Sequence, residues 1–320
     1  MNGHQTSATE DTMKAVMYER YGGPDVLEVR DIPVPQPGPG EMLVRVRSSM
    51  VAYGDYRMRS LNLEGIPAVE RFLARLALGF RHPKRRILGM GIAGDVVRRG
   101  AGVTGFIEGD SVVAGLWHRM RFGGYAEYVC AAADGPVEVK PLNLGYDESL
   151  AAIGGIAALS LVRRAAVRAG EHVVVYGASG AVGTTAVQLA KHAGAVVTAV
   201  CSGPNGAMVR ALGADRVVDY TKEDFTDSGE RYDAVLDAVG KLTAAKSTRA
   251  LKPNGRSLSV LTNGHASSGR PEMSYLLSLA QHGALTPVID RTYPLERAAE
   301  AHRYVESGRK RGNVLLHCDR

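Results

Sequence analysis

The sequence predicts an α/β protein made of two parts, a β-rich unit and a doubly wound parallel sheet. Residues 13–141 contain short alternating or β-branched segments separated by glycine- and proline-rich breaks, which is typical of strands joined by turns. From about Asp147 onward, apolar runs alternate with longer helical stretches, and this pattern favours βαβ units around a parallel sheet. The length of 320 residues is long for one packed core and suggests two domains.

Each part can be divided into elements along the chain. In the β-rich part we predict strands over Lys14–Tyr18, Val26–Ile32, Leu43–Ser48, Ile92–Val97, Ser111–Ala114 and Ala126–Cys130. In the second part, a helical stretch over Glu148–Arg168 precedes strands over Val173–Tyr176, Val196–Cys201, Arg216–Val218, Ala234–Asp237 and Arg256–Leu261, with helices over 181–193 and 205–212. The last strand, Gly312–Leu316, has no evident βαβ partner, so we expect it to return to the first part.

These elements suggest the domain boundaries. We expect a flexible tail over residues 1–12, a β-rich domain over 13–143 and 288–320, and a parallel-sheet domain over 144–287.

Composition narrows the class of protein. The chain is 45% hydrophobic and 22% charged, with a net charge of +6, which are ordinary values for a globular protein. Lysine and arginine are spread along the chain except in the run Arg81–Arg86, and no base-stacking motif accompanies that run, so we expect no nucleic-acid partner. The apolar run Leu150–Val162 is too short to cross a membrane, residues 1–12 lack the apolar core of a secretion signal, and three cysteines are too few for a disulfide framework. We therefore expect a cytoplasmic protein with no membrane partner.

The segment Val69–Phe80 has an amphipathic helical pattern and ends in the basic run. Three interpretations stay open: a solvated helix face, a charged lid over a substrate cleft, and a helix lying on a membrane surface.

The strongest motif is the glycine-rich turn between Val173–Tyr176 and the following helix. It contains Gly177, Gly180 and Gly183. In a strand–turn–helix of this kind, one glycine lets the backbone approach a pyrophosphate and another lets the helix pack closely on the strand. The helix N-terminus offers unpaired N–H groups to the phosphates. The motif therefore predicts dinucleotide binding.

The end of the next strand bears on the choice of dinucleotide. Enzymes that use NAD commonly place an acidic residue there to bind the ribose 2′-hydroxyl. This sequence has Ser202 and Asn205, with Arg210 further on. A carboxylate at this position would repel a 2′-phosphate. Because this chain has none there, we expect NADPH rather than NADH.

Several motifs together identify a family resemblance. They are Lys14–Tyr18, Gly89–Gly94, Gly123–Tyr128, the glycine-rich turn, Leu212–Tyr220 and Thr286–Asp290. With them the chain resembles the zinc-independent, quinone-oxidoreductase-like branch of the medium-chain dehydrogenase/reductase superfamily. The resemblance implies a GroES-like catalytic domain, a Rossmann domain and a nicotinamide cofactor in the cleft between them.

The resemblance also implies cofactor contacts. The pyrophosphate would lie against Ser179, Gly180, Ala181, Val182 and Gly183, and the 2′-phosphate against Ser202 and Asn205. The adenosine would lie beside Tyr220, and the nicotinamide near Val239, Gly240, Thr262 and Asn263, with Asn313 on the phosphate or nicotinamide side. Asp237, inside a strand, is interpreted instead as a hydrogen-bonding residue of the core.

Zinc is not expected. Zinc-dependent relatives carry a cysteine where this chain has Ala52 and a His-Glu pair where it has Met90-Gly91. A catalytic zinc needs three protein ligands, and a four-cysteine structural site would need more than the three cysteines present. Without a Lewis acid, alkoxide formation from an alcohol loses its main stabilisation, whereas reduction of a conjugated C=C bond or a quinone does not need one.

The chain departs from the family at Tyr53. Relatives usually have Asn-Pro-x-Asp here, whereas this chain has Ala52-Tyr53-Gly54-Asp55. The Tyr53 hydroxyl could donate a hydrogen bond to a developing enolate; alternatively, the ring only fills the space of the missing pair.

Taken together, the residues and the resemblance predict a homodimeric, zinc-free, NADPH-dependent reductase of an activated C=C bond or a quinone, acting on a small molecule. Two alternatives are a zinc-free carbonyl or alcohol dehydrogenase and a protein that binds NADPH without turnover.

Overall fold

The computed structural model describes residues 12–63, 68–117, 121–263 and 269–318, and its strands form three sheets. The strands are β1 (Thr12–Met17), β2 (Glu28–Pro33), β3 (Glu41–Met50), β4 (Gly91–Arg99), β5 (Ser111–Gly115), β6 (Tyr128–Ala132), β7 (Val137–Val139), β8 (His172–Tyr176), β9 (Val196–Cys201), β10 (Arg216–Asp219), β11 (Tyr232–Asp237), β12 (Leu251–Ser259), β13 (Ile289–Pro294) and β14 (Asn313–His317). The helices are α1 (Tyr53–Ser60), α2 (Ala68–Leu78), α3 (Tyr146–Ile153), α4 (Ile156–Arg164), α5 (Ala181–His192), α6 (Gly206–Ala211), α7 (Ala244–Ala250), α8 (Val260–Asn263), α9 (Arg270–Gln281) and α10 (Ala298–Glu306). Of the expected tail, residues 1–11 lie outside the described residues, and Thr12 begins β1.

The first part of the chain forms a seven-stranded sheet. Its order is β13-β14-β3-β4-β5-β7, with β6 also paired to β3. The central strand β3 buries Met42, Val44 and Val46 completely, because alternate residues of a strand face the same side. A separate pair, β1 and β2, is antiparallel. The predicted β-rich unit is confirmed.

The second part forms a five-stranded sheet in the order β10-β9-β8-β11-β12 in which every pairing is parallel. In the central strand β8, Val173 and Val175 join the apolar cluster on one face and Val174 joins the cluster on the other. A strand covered on both faces reads as a continuous apolar run. The predicted doubly wound parallel sheet is therefore confirmed.

One predicted helix is two. The stretch Glu148–Arg168 divides into α3 and α4 at Gly154 and Gly155. A Cβ atom on Gly154 would lie 2.8 Å from Asn313 Oδ1, and one on Gly155 would lie 2.5 Å from Thr185 Cγ2. Both glycines thus allow close approach of neighbouring elements, which a one-dimensional apolar pattern does not reveal.

The closing strand β14 pairs antiparallel with β3, so the prediction that it returns to the first sheet is confirmed. The prediction that it lacks a βαβ partner is wrong, because β13 pairs with it in parallel and α10 connects them. The mostly exposed strand β13 has no buried apolar run to mark it in the sequence.

Two further element boundaries shift. The predicted strand Arg256–Leu261 ends at Ser259, and Val260 begins the short helix α8. The helix α2 begins one residue before the amphipathic segment Val69–Phe80 and ends at Leu78. Among the described residues, every helix falls short of the length and apolarity that a bilayer crossing needs.

Candidate active site

The glycine-rich turn is formed by the packing of α5 against β8. Gly177 has a φ of +77°, and both its N–H and that of Ala178 donate to the Val200 carbonyl at 3.0 Å. A Cβ atom on Gly183 would lie 2.2 Å from the Gly177 oxygen and 2.7 Å from Ala178. Only glycine therefore lets the first turn of α5 approach β8 this closely.

Gly180 differs from Gly183 in its surroundings. It is the N-cap of α5, and a Cβ atom there would meet only the Gly177 oxygen, at 3.7 Å. No side chain caps this helix end, so Ala181, Val182 and Gly183 can present their N–H groups to a ligand. An uncapped helix start facing open space suits a phosphate group.

Three predicted contacts are joined by hydrogen bonds beside this turn. The Asn205 amide donates to Ser179 Oγ at 3.1 Å and to Ser202 Oγ at 3.0 Å. Asn205 Oδ1 is buried and has no hydrogen-bond partner among the described residues. Because a buried acceptor without a partner is uncommon, this atom is available to a donor such as a ribose hydroxyl. The residues present thus fit a dinucleotide.

Sequence reasoning missed Asp219 behind this cluster. Its carboxylate accepts from the Thr221 hydroxyl at 2.7 Å and N–H at 3.0 Å, and it lies against Gly203, where a Cβ atom would be 2.4 Å from Asp219 Oδ2. The hydrogen bonds from Thr221 lower the pKa of Asp219. Asp219 therefore packs against the loop that contains Ser202 and Gly203. Its place at the end of β10, adjacent to β9 in the sheet, is the signal that could have identified it.

Exposed apolar groups mark the remaining predicted contacts on this sheet. Tyr220 is 55% exposed and follows β10, and Val239 is 39% exposed and follows β11. The Val239 side chain covers the turn, since a Cβ atom on Gly177 would lie 2.6 Å from Val239 Cγ1. Large side chains left open at the carboxyl ends of parallel strands suit a bound ring system.

Asp237 and Asn263 hydrogen-bond the segments that follow β11 and β12. Asp237 accepts from the backbone N–H groups of Val239 (3.1 Å), Gly240 (2.8 Å) and Leu242 (2.9 Å), the hydrogen-bonding role that the sequence suggests. Asn263 Oδ1 accepts from the Ser259 N–H at 3.0 Å and from the Thr262 hydroxyl at 2.9 Å. Gly240 therefore lies in a loop whose shape is set by buried Asp237, and Thr262 lies in the short helix α8, which the half-buried Asn263 ties to Ser259.

The closing strand also reaches the glycine turn. The Gly312 N–H donates to the Ser179 carbonyl at 2.9 Å. Asn313 is only 2% exposed and donates to the carbonyls of Val288 (3.1 Å) and Ala151 (3.5 Å), so its side chain ties the strand to its surroundings. Its Oδ1 is buried without a partner among the described residues.

Lys310 is a second residue that sequence reasoning missed. Its Nζ donates to the Gly312 carbonyl at 3.0 Å, and burial lowers the pKa of Lys310 to about 8 while Asp290 opposes that effect. The lysine thus lies next to the segment that contacts Ser179. It precedes the closing strand in a run of basic residues, so no periodicity distinguishes it.

Tyr53 is the first residue of α1, in the part of the chain that forms the β-rich unit. It is 52% exposed, and its ring centroid is 5.3 Å from that of Tyr56. Its hydroxyl has no hydrogen-bond partner in the described part of the chain. The phenol is therefore free to meet a ligand.

Buried Asp55 positions the segment that carries Tyr53. Its carboxylate accepts from the N–H groups of Ala52 and Gly89, both at 2.9 Å. Burial raises the pKa of Asp55 to about 7, although these two donors lower it in part. Asp55 thus holds the start of α1 against the segment containing Met90.

The same contact brings together the positions where zinc-dependent relatives carry ligands. A Cβ atom on Gly54 would lie 2.7 Å from Met90 Sδ, so the thioether packs against the start of α1 next to Ala52. Within the described ranges, no group of three histidine, cysteine or acidic side chains is placed to hold a metal ion.

Family models match both parts of the chain. Residues 38–141 match an alcohol dehydrogenase GroES-like domain, and residues 181–281 and 261–316 match two models described as zinc-binding dehydrogenase.

Individual relatives extend over nearly the whole chain. It is 31% identical to 2-methylene-furan-3-one reductase of Solanum lycopersicum and 29% identical to the chloroplastic NADPH-dependent alkenal/one oxidoreductase of Arabidopsis thaliana; each match covers 95% of this chain and 79% of the relative. The quinone oxidoreductase of Coxiella burnetii has a similar structure, with a TM-score of 0.83, 29% identity, and coverage of 97% of this chain and all of that one. The chain is therefore an NAD(P)H-dependent oxidoreductase that belongs to the quinone-oxidoreductase-like branch of the medium-chain dehydrogenase/reductase superfamily.

Proposed function

We propose that the protein is an NADPH-dependent, zinc-free reductase of an activated C=C bond or a quinone. The carrying observation is the cluster in which Asn205 joins Ser179 and Ser202 beside the uncapped start of α5. This cluster supports binding of a phosphorylated ribose next to a pyrophosphate. The relatives described above act, by their names, on a conjugated enone, an alkenal or enone, and a quinone.

The chain's own residues suggest how such a reduction would be helped. When bound, a nicotinamide would supply hydride to a carbon of the acceptor, and negative charge would develop on the conjugated oxygen. The exposed hydroxyl of Tyr53 would hydrogen-bond that oxygen, an interaction that lowers the barrier because it strengthens as charge develops. Asp55 keeps the start of α1 in place by binding Ala52 and Gly89.

The residue types at the positions where zinc-dependent relatives carry ligands support zinc-free action. Ala52 has no ligating atom, and Met90 offers a thioether, a weak partner for zinc compared with cysteine or histidine. Protein purified without an affinity metal should contain far less than one zinc per chain, and chelators should leave turnover intact. A stoichiometric zinc lost together with activity would show that the chemistry depends on metal.

Turnover is tested by following oxidation of NADPH and NADH with a quinone, an enone and an enoyl thioester. NADPH should be oxidised faster in the presence of at least one of these acceptors than in its absence. Absence of turnover with all three, using either cofactor, would contradict the proposed reaction.

Cofactor preference is tested by titrating both reduced cofactors into the wild type and Ser202→Asp. The wild type should bind NADPH more tightly. Ser202→Asp should reverse that order, because a carboxylate repels a 2′-phosphate and accepts a hydrogen bond from a 2′-hydroxyl. Equal or tighter binding of NADH by the wild type would refute the NADPH part of the proposal and leave the reaction class standing.

A further inference from the structure

The helix α2 presents a continuous apolar stripe to solvent. Val69 is 74% exposed, Phe72 57%, Leu73 55% and Leu76 52%, and their spacing places all four on one face of a helix. Phe80, 49% exposed, extends the stripe beyond the helix end because its ring packs 5.8 Å from that of Phe72. Large apolar side chains grouped in this way on a surface mark an interaction site.

The stripe faces away from the rest of the protein. The helix is attached at its end, where the Tyr21 hydroxyl donates to the carbonyls of Leu78 (2.9 Å) and Gly79 (3.0 Å). Ala74 and Leu78, which lie on the side of α2 opposite the stripe, are half-buried. A helix that packs on a core turns its apolar face inward, whereas α2 turns its apolar face to solvent.

Positive charge surrounds the stripe. Residues 68–86 include one acidic residue, Glu70, and six basic ones, which are Arg71, Arg75, Arg81, Lys84, Arg85 and Arg86. Lys84 Nζ donates to the carbonyl of Leu76 at 2.7 Å, which brings the basic segment back beside the stripe. Arg86 lies 3.8 Å from Glu19, but in the described part of the chain no carboxylate pairs with Arg81 or Arg85.

This combination fits one occupant. We propose that α2 and the following basic segment, residues 68–86, dock on an anionic lipid membrane, with the apolar stripe at the boundary of headgroups and acyl chains. A second copy of the chain would bring two strongly basic surfaces together, which is unfavourable. An anionic bilayer instead satisfies both the stripe and the cations. An eleven-residue helix is about 16 Å long, so it would lie in the surface and not span it.

The proposal departs from the sequence expectation of no membrane partner and does not depend on the proposed reaction. It is tested by sedimentation of the full chain with vesicles of phosphatidylcholine alone and of phosphatidylcholine mixed with phosphatidylglycerol. The wild type should bind the mixed vesicles, bind the neutral ones weakly, and dissociate as salt is added.

Two multiple variants separate the apolar and charged contributions. Arg81→Gln, Lys84→Gln and Arg85→Gln combined should lower partitioning onto the mixed vesicles about 100-fold, since each cation near the surface contributes roughly fivefold. Phe72→Ser with Leu76→Ser should lower it at least about tenfold. Turnover of a water-soluble acceptor and the thermal midpoint should stay at wild-type values.

Matched controls change similar side chains elsewhere. Ile107→Ser with Leu142→Ser removes exposed apolar groups, and Arg164→Gln, Arg168→Gln and Arg231→Gln combined removes three exposed cations; both should bind vesicles as the wild type does.

Three outcomes would overturn the proposal. The first is no binding to mixed vesicles, or equal binding by wild type and Phe72→Ser/Leu76→Ser. The second is self-association that this double substitution abolishes without any vesicle binding, which would make a second copy the occupant. The third is a raised KM in the double variant without any vesicle binding, which would make α2 a lid over the substrate cleft.

Discussion

At the scale of single residues, the proposed reaction would use a hydroxyl that has no partner within the described chain. Tyr53 and Tyr56 stand side by side on α1, yet their hydroxyls differ. Tyr56 accepts a hydrogen bond from the Asn62 amide at 3.2 Å, whereas Tyr53 has no such partner in the described chain and is half exposed. The pair therefore offers a built-in comparison between a phenol engaged within the protein and one available to a substrate.

Tyr53→Phe should lower kcat with little change in NADPH affinity, because the lost hydrogen bond forms mainly in the transition state. Loss of one such donor costs about 2.7–4 kcal/mol, or about 10²- to 10³-fold in rate. Steady-state kinetics together with a cofactor titration separate the two effects. Tyr56→Phe, the matched control, should stay within a few-fold of wild type. If Tyr53→Phe behaves like the control, the ring only fills space and another group stabilises the developing charge.

At the scale of elements, the start of α5 separates two functions of glycine. Gly183 allows the helix to approach β8, whereas Gly180 faces open space where a ligand would lie. Gly180 has a φ of −79° and Gly183 lies within the helix, so alanine at either position adds a side chain to a backbone conformation that it adopts readily. Packing and ligand access can thus be varied one at a time on the same turn.

Gly183→Ala should lower both the thermal midpoint and cofactor affinity, because its methyl group would lie 2.2 Å from the Gly177 oxygen. Gly180→Ala should keep the wild-type midpoint and weaken NADPH binding by about 10- to 100-fold, the cost of hydrogen bonds lost to a charged phosphate. Differential scanning fluorimetry and fluorescence titration provide the two readouts. Wild-type affinity in Gly180→Ala would show that the pyrophosphate does not approach this turn.

These elements also show what the sequence reveals and what it hides. Strand β9 begins and ends as predicted, because a buried central strand is a continuous apolar run with clear limits. The break between α3 and α4 and the edge strand β13 were not foreseen, since the first depends on contacts with Asn313 and Thr185 and the second has an exposed, mostly polar face. A local sequence pattern predicts whether a segment is buried, but it does not predict which distant element packs against it.

The candidate site follows the same rule. Ser179, Ser202 and Asn205 could be predicted because a strand–turn–helix fixes where its loops meet, and the structure joins them by hydrogen bonds. Asp219 and Lys310 were missed because each acts from an element that becomes a neighbour only in the folded sheet. The assignment of Ser179, Ser202 and Asn205 to cofactor binding stays a prediction.

At the scale of the whole molecule, a buried polar cluster joins α1 to the helix α10 near the end of the chain. Arg59, only 1% exposed, pairs with Glu306, and the Tyr125 hydroxyl lies 3.1 Å from His302 Nε2. The nearby Tyr125 hydroxyl also lowers the pKa of Asp55. Residues more than two hundred positions apart in sequence are therefore held by groups whose protonation matters to the stability of the whole chain.

Two members of this cluster shift in opposite senses with pH. Burial raises the pKa of Asp55 from 3.8 to about 7, so its contribution is fully present below pH 3.8 and is lost as pH rises toward 7. Burial, and to a lesser degree Arg59, lowers the pKa of His302 from 6.5 to about 3, so its contribution is present above pH 6.5 and is lost as pH falls toward 3. In the wild type the two trends offset each other between these limits.

Single substitutions should expose each trend. Relative to wild type, the free energy of unfolding of Asp55→Asn should rise with pH between about pH 4 and 7, by about 1.4 kcal/mol per pH unit, on top of a constant loss because one amide oxygen cannot accept from both backbone donors. His302→Gln should show the reverse slope between about pH 3 and 6.5. Urea unfolding at a series of pH values measures both, and Glu300→Gln, which removes an exposed ion pair with Arg297, should leave the profile nearly unchanged. Curves parallel to wild type for both cluster variants would mean that neither Asp55 nor His302 is held in its neutral form by burial.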